Sequence, residues 1–194
     1  MLSHEAKHSF ALAQRQSDAL LNRRSYIGRF APSPTGPLHF GSLLTAVASY
    51  CDAKANHGKW LVRIEDTDIA RIYPHSEAHI LSCIDAFQFE PDAEIIFQKD
   101  RLELYEQVLE QLKQLQAVYA CQCTRKMLGS NHIYAGTCRD LGLAFEHQAI
   151  RVKVQDQRIC FQDRLQGLHC CTLKQDLGDF VLKRRDGIIN YQLA

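Results

Sequence analysis

Tyr26, Ile27, Phe30 and Ala31 make a short apolar-rich run that stops at Pro32, the pattern of a strand near the centre of a sheet. The loop that follows, Pro32-Ser33-Pro34-Thr35-Gly36-Pro37, has three prolines fixing φ and one glycine leaving room against the backbone. From Gly41 the period lengthens: Leu44, Val47, Ala48, Cys51 and Ala55 recur at helical spacing, and Gly58 suits the C′ position. Trp60 to Ile64 reads as a second strand, so the stretch predicts a βαβ unit with a right-handed crossover. Ser76 is placed to cap a further helix whose face is Ile80, Leu81, Ile84 and Phe87. Residues 101–116 predict a clearer helix, with Leu102, Tyr105, Val108, Leu109, Leu112 and Leu115 on one side as core packing. Ala149 to Val154 alternates like a half-exposed strand, and Arg158 to Gln162 is expected to pair with it across a turn at Asp156-Gln157. Asp186-Gly187 marks a later turn.

Composition adds limits more than direction. At 194 residues, 46% hydrophobic and 23% charged, the chain reads as an ordinary globular protein of one or two domains. No apolar run approaches the ~18–20 residues of a membrane span, so no membrane partner is expected. A net charge of +1 gives no general attraction for nucleic acid, so any such binding needs a local patch. Residues 1–24 lack the apolar core of a secretory signal and read as a polar extension. A cytoplasmic location is expected, and the eight cysteines are better read as thiols or metal ligands than as a disulfide framework.

The chemistry follows from the βαβ geometry. A loop that leaves a strand and opens a helix aims free N–H groups and a positive dipole end at one point, which suits phosphate. His39 stands at that junction, where its ring could bond phosphate oxygens, and Gly41 removes a side chain where a nucleotide could lie. Arg29, leaving the first strand, offers a planar fork for a carboxylate; Glu65, leaving the second, offers a carboxylate for an ammonium group. Carboxyl ends of neighbouring parallel strands are where open α/β sheets hold ligands. A second cluster lies further on. Cys121-x-Cys123 and Tyr134-x-x-x-Cys138 bracket a short polar loop, and three thiolates with a fourth donor fit a closed, structural zinc site, one ion per chain. Spacing alone nominates His132 as the fourth ligand. Cys160, Cys170 and Cys171 receive no function.

Three motifs in one order carry a family resemblance: Arg29-Phe30-Ala31-Pro32-Ser33-Pro34-Thr35-Gly36, Leu38-His39-Phe40-Gly41-Ser42 and Arg63-Ile64-Glu65-Asp66-Thr67-Asp68. The chain resembles the glutamyl-tRNA synthetase group of class I aminoacyl-tRNA synthetases. Ser42 replaces the last histidine of that class's His-Ile-Gly-His element, as in a stand-alone paralogue that glutamylates queuosine in tRNA(Asp). The resemblance implies an α/β fold: the first half of a Rossmann-like class I aminoacyl-tRNA synthetase nucleotide-binding domain, with a zinc-bearing insertion. It implies Arg29, Ser33, Glu65 and Tyr191 on L-glutamate, and Thr35, Gly36, His39 and Gly41 on ATP with Mg2+, His39 and Gly41 being the catalytic pair. It also implies Tyr134 as the fourth zinc ligand beside Cys121, Cys123 and Cys138. Domains are expected at 25–100 for the first half-fold, 101–148 for the helix and insertion, and 149–194 for a β-rich return. The family's second arginine and its Lys-Met-Ser-Lys-like ATP loop have no counterpart within the 194 residues. The expectation is therefore a truncated product, or a protein completed by another chain and otherwise monomeric. The reaction implied is tRNA-independent glutamate activation followed by transfer to tRNA(Asp), with an ordinary glutamyl-tRNA synthetase fragment or a zinc-stabilised binding module as the rivals.

Overall fold

A computed structural model describes residues 26–128 and 133–194. The expectations for residues 1–24 and for His132 lie outside these. The chain divides into two units, one formed by the described residues up to Ile64 with Ile72–Ile96, the other by Glu65–Arg71 with Phe97–Ala194.

In the first unit, β1 (Ile27–Phe30) runs parallel to β2 (Lys59–Ile64), with Ile27 opposite Lys59 and Phe30 opposite Val62. The helix α1 (Phe40–Ala55) joins them, which is the predicted βαβ unit. With β3 (Ile96–Phe97) the sheet order is β1-β2-β3, so β1 is an outer strand of the three rather than a central one. The helix is where the pattern placed it, but its buried face is not. Ala46 and Ala53 are buried while Leu44 is exposed, and so are Ala48, Cys51 and Ala55. The cause is close approach: a Cβ on Gly28 would stand 2.9 Å from the Ser49 carbonyl oxygen and 3.0 Å from Ala53 Cβ. Small residues pack helix on strand here, and an apolarity count is blind to them.

Trp60 anchors this core, fully buried, stacked on Phe30 at 6.2 Å and edge-on to Tyr50 at 5.2 Å. Its indole N–H donates to Ser49 Oγ at 3.0 Å, which satisfies the one polar atom the ring carries inside. Asp92 accepts the Trp60 backbone N–H at 2.6 Å and pairs with Lys54 at 2.8 Å. Gly58 is not a left-handed helix terminator: His57 takes that conformation at φ +50°, and Gly58 instead clears space for Tyr26. In α2 (Ser76–Ala86) Ile80 and Ile84 are buried as predicted, while Phe87 lies beyond the helix and is exposed. Ser76 is the first helical residue rather than the cap. His75 precedes it at φ +64°, and the Ser76 hydroxyl turns instead to the Pro34 and Tyr73 carbonyls, each at 2.6 Å.

The second unit carries α3 (Leu102–Gln114), entered through a 3-10 turn at Gln98–Arg101. Its Leu109 packs on Val118, Ile150 and Leu182 from an antiparallel sheet in the order β4-β5-β8. Those strands are β4 (Val118–Cys121), β5 (Ala149–Val152) and β8 (Val181–Lys183), and a one-turn α4 (Arg125–Leu128) follows β4. Of the stripe on α3, Tyr105 and Leu109 are buried and Leu102, Val108 and Leu112 half-buried, whereas Leu115 lies beyond the helix and is exposed. The pairing expected for Arg158 to Gln162 is wrong. β6 (Arg158–Asp163) pairs antiparallel with β7 (Gly167–Thr172), and a short α5 (Leu173–Asp176) follows. The turn is set by Asp163, whose carboxylate accepts the Leu165 and Gln166 N–H groups, and by Gly167 at φ +84°. That register puts Cys160 opposite Cys170 in a disulfide with Cα atoms 4.1 Å apart, so these two are not the free thiols expected.

Candidate functional site

The loop after β1 is held from below. Pro34 is buried, its carbonyl accepts the Tyr73 N–H at 2.9 Å as well as the Ser76 hydroxyl, and this fixes residues 32–37 on the sheet end. The loop then delivers His39 as the N-cap of the 16-residue α1. His39 Nδ1 accepts the Ser42 N–H at 3.2 Å, so the neutral ring carries its proton on Nε2, 3.2 Å from Ser42 Oγ. A Cβ on Gly41 would stand 3.1 Å from His39 Cε1. Gly41 thus makes room for the folded-back histidine ring, a reason the sequence did not disclose. No acidic residue occupies the first turn of α1, so the helix sets no carboxylate of its own against its positive dipole end.

Phe30 to Ser33, Thr35 to His39, Ser42 and Thr45 line a cavity of about 480 Å³ at this junction. Of the residues singled out from the sequence, Ser33, Thr35, Gly36 and His39 share it. Around Gly36 there is open space on the side a Cβ would take. Arg29, exposed on β1, and Gly41 do not contribute to the lining. Glu65 follows β2 directly and is half-buried. Tyr191 is 66% exposed, which removes core packing as its explanation. Asp66, next to Glu65, is not a surface residue. It is buried, its carboxylate accepting the Lys99 N–H at 2.8 Å and facing Lys99 Nζ at 3.3 Å, while Asp68 pairs with Arg184 at 2.8 Å.

The thiol cluster forms in the second unit as spacing and resemblance anticipated. The sulfurs of Cys121, Cys123 and Cys138 all lie within 4.8 Å of one another, Cys123 and Cys138 being 3.5 Å apart. Tyr134 Oη accepts the Cys138 N–H at 2.9 Å and lies 3.4 Å from both Cys121 Sγ and Cys123 Sγ. A tetrahedral zinc with Zn–S near 2.3 Å and Zn–O near 2.0 Å sets its sulfurs ~3.8 Å apart and each sulfur ~3.5 Å from the oxygen. The Cys123–Cys138 separation and both sulfur-to-Tyr134 Oη separations match that geometry, so the donor set suits such an ion. Burial, and the hydrogen bonds with all three thiols, hold the Tyr134 phenol well above its ordinary value. Burial also pushes the Cys123 thiol up. At Cys138 burial pushes upward too, but hydrogen bonds from Tyr134, the Gln122 N–H and the two other cysteines outweigh it and lower the thiol to about 7.

Around this cluster stand groups that sequence reasoning missed. Arg151 and Asp179 are both buried. Asp179 accepts the Tyr119 hydroxyl at 2.7 Å, the Val154 N–H at 2.8 Å and Arg139 Nη1 at 2.9 Å. Nothing local in the sequence marks them, since the alternation of β5 alone assigns Arg151 no partner.

Comparison with known proteins agrees on one family. The model of the class I tRNA synthetase (E and Q) catalytic domain matches residues 27–194. A glutamyl-Q tRNA(Asp) synthetase of Acinetobacter baylyi is 78% identical over 170 residues, covering 88% of this chain and 58% of that protein. One from Pseudomonas fluorescens is 50% identical over 171 residues, covering 88% and 57%. Among solved structures, a glutamate tRNA ligase from Elizabethkingia meningosepticum, crystallised with its amino acid, has a TM-score of 0.72 at 28% identity, covering 88% of this chain and 40% of that one. The chain thus spans 57–58% of the length of these two curated relatives.

Proposed function

The chain belongs to the catalytic-domain family of class I tRNA synthetases for E and Q, and from that premise we propose that it activates L-glutamate with ATP and passes it to queuosine in tRNA(Asp). The observation that carries this reading is the cavity at the start of α1, capped by His39 and free of acidic residues in the first turn. An anionic ligand gains there from the dipole and from backbone N–H groups. Thr35, Gly36, His39 and Gly41 would hold ATP, with His39 Nε2–H as the donor toward phosphate oxygens. Arg29 would pair with a glutamate carboxylate, Ser33 would hydrogen-bond to it, Glu65 would take the ammonium group, and Tyr191 would border the side chain.

In the first step a carboxylate oxygen of glutamate attacks the α-phosphorus of Mg2+-bound ATP, and pyrophosphate leaves with the bond electrons. In the second, a hydroxyl of queuosine attacks the activated carbonyl, adenylate leaves with the bond electrons, and the hydroxyl proton passes to the departing phosphate. Neither step needs a protein nucleophile. Positioning and fixed positive potential do the work, and one lost donor of this kind typically costs ~10²–10³ in rate. Zinc, when bound by Cys121, Cys123, Cys138 and Tyr134, would be structural, ordering the 121–138 segment with all four positions filled by protein. The expected setting is the cytoplasm.

The curated relatives at 78% and 50% identity favour this reading over an ordinary glutamate tRNA ligase, to which the solved structure at 28% is the likeness. Glutamate-dependent exchange of pyrophosphate into ATP tests it. Exchange without tRNA, lost in Arg29→Ala and Glu65→Ala, is the expected result. Exchange that requires tRNA would replace it with the ordinary ligase, and ligand binding with no exchange would replace it with a binding module.

A further inference from the structure

Arg151 is 7% exposed and forms no ion pair with a carboxylate among the described residues. A buried cation without a counter-charge is costly, and such groups normally have one. Its acidic hydrogen-bond partner does not serve: Asp179 accepts from Arg151 Nη1 through its backbone carbonyl, at 2.6 Å, while the Asp179 carboxylate is matched by Arg139 at 2.9 Å. What the guanidinium does face is the thiol cluster. Arg151 Nε donates to Cys121 Sγ at 3.3 Å, and the guanidinium carbon sits 3.9 Å from the centre of the Tyr134 ring. One buried cation therefore touches two of the four proposed metal ligands through two kinds of contact.

We infer that Arg151 is a positioning residue of the metal site, the outer cation that balances the excess negative charge of a thiolate-rich zinc centre. The inference rests on the zinc reading above. Three thiolates on a dication leave one net negative charge before Tyr134 is counted, in a part of the fold shielded from water. The guanidinium supplies one positive charge at hydrogen-bond distance from Cys121 and orients the Tyr134 ring by lying across its face. The β5 register makes this possible. Arg151 stands opposite Tyr119 of β4, two residues before Cys121, so its side chain reaches along the strand toward the sulfur.

Two variants separate charge from hydrogen bonding. Arg151→Gln keeps an N–H donor and removes the charge; Arg151→Lys keeps the charge and removes the planar fork. Zinc affinity is measured on the intact chain by competition with a chromophoric chelator, with circular dichroism as the check on folding. The sulfur-to-metal charge-transfer band of the Co2+-loaded protein is recorded in parallel, since loss of packing alone does not move it. The expected result is that Arg151→Gln binds zinc ~10–100-fold more weakly and shifts the Co2+ band, while Arg151→Lys stays closer to the original protein in both. Equal affinity and an unmoved band in folded Arg151→Gln overturn the inference while leaving the zinc site standing. So does an Arg151→Lys protein weaker than Arg151→Gln, which assigns the effect to hydrogen bonding. Absence of stoichiometric zinc in the unmodified chain overturns the zinc reading itself, and this inference with it.

Discussion

Gly58→Ala tests how the first unit holds its strands together. A methyl group there would stand 2.2 Å from the Tyr26 carbonyl oxygen and 2.8 Å from Tyr26 Cβ. Ordinary C···O contacts lie at about 3.3–3.6 Å, so the overlap exceeds an ångström and falls on backbone. The same carbonyl accepts the Lys59 N–H at 2.8 Å, beside the point where Ile27 and Lys59 begin the β1–β2 ladder. Relief requires Tyr26 to withdraw, which forfeits that bond at ~0.5–1.5 kcal/mol and adds ~1–3 kcal/mol of overpacking, about 1.5–4.5 kcal/mol together. Urea unfolding followed by fluorescence reads this directly, because Trp60 is the only tryptophan and is fully buried in the same unit. With an m value of ~2 kcal/mol/M the midpoint should fall by ~1–2 M at unchanged slope. His57→Gly is the counterpart. It relieves a left-handed residue at φ +50° and should leave the midpoint unchanged or raise it. A Gly58→Ala midpoint within ~0.2 M of the original would refute the close-contact argument.

Cys138→Ala removes one of the three clustered sulfurs and should abolish stoichiometric zinc, read by metal analysis after dialysis; retained metal would mean the ligands are misassigned. Gln98 is fully buried with neither side-chain amide atom hydrogen-bonded to any of the described residues, an arrangement that costs ~1–3 kcal/mol per unsatisfied group. Gln98→Met should therefore be neutral or stabilising in thermal unfolding, and a clear loss would show that an unseen partner satisfies the amide. The Asp92 carboxyl is lowered below its ordinary value of 3.8, first by the Lys54 hydrogen bond and then by the Trp60 N–H. A depressed carboxyl adds stability that is present above its unfolded value and is lost as pH falls below it. Asp92→Asn should accordingly flatten the loss of stability below about pH 4 in an acid titration followed by Trp60 fluorescence, and an unchanged slope would refute the linkage.

The first βαβ unit was readable because both its periods are written in neighbouring residues: a short apolar run for β1, a longer repeat for α1, and a proline loop between them. What failed was the assignment of faces. The buried side of α1 is marked by Ala46 and Ala53 packed beside Gly28, residues chosen for their lack of volume, so the larger Leu44 drew the pattern to the wrong side. The β6–β7 hairpin failed for a different reason. Its signal, Asp163 followed four positions later by Gly167, was present but does not look like a two-residue turn. Once the register is known, the Cys160–Cys170 bridge follows from it.

The candidate sites divide in the same way, and the division explains which residues remained hidden. Groups proposed to touch ligands come from short stretches: Ser33 to Ser42 around the cavity, Cys121 with Cys123, and Tyr134 with Cys138. Residue type and spacing suffice to nominate those. The groups that hold them in place reach across the chain, Ser76 to Pro34 over 42 positions and Arg151 to Cys121 over 30. A serine opening a helix and an arginine in an alternating strand look unremarkable until the fold brings their partners within reach. Burial is the property that separates them from ordinary surface residues. It belongs to the packed chain: Ser76 and Arg151 are nearly inaccessible, whereas Arg29, the residue with the clearest chemical signature, stands exposed at a strand end, open to a ligand.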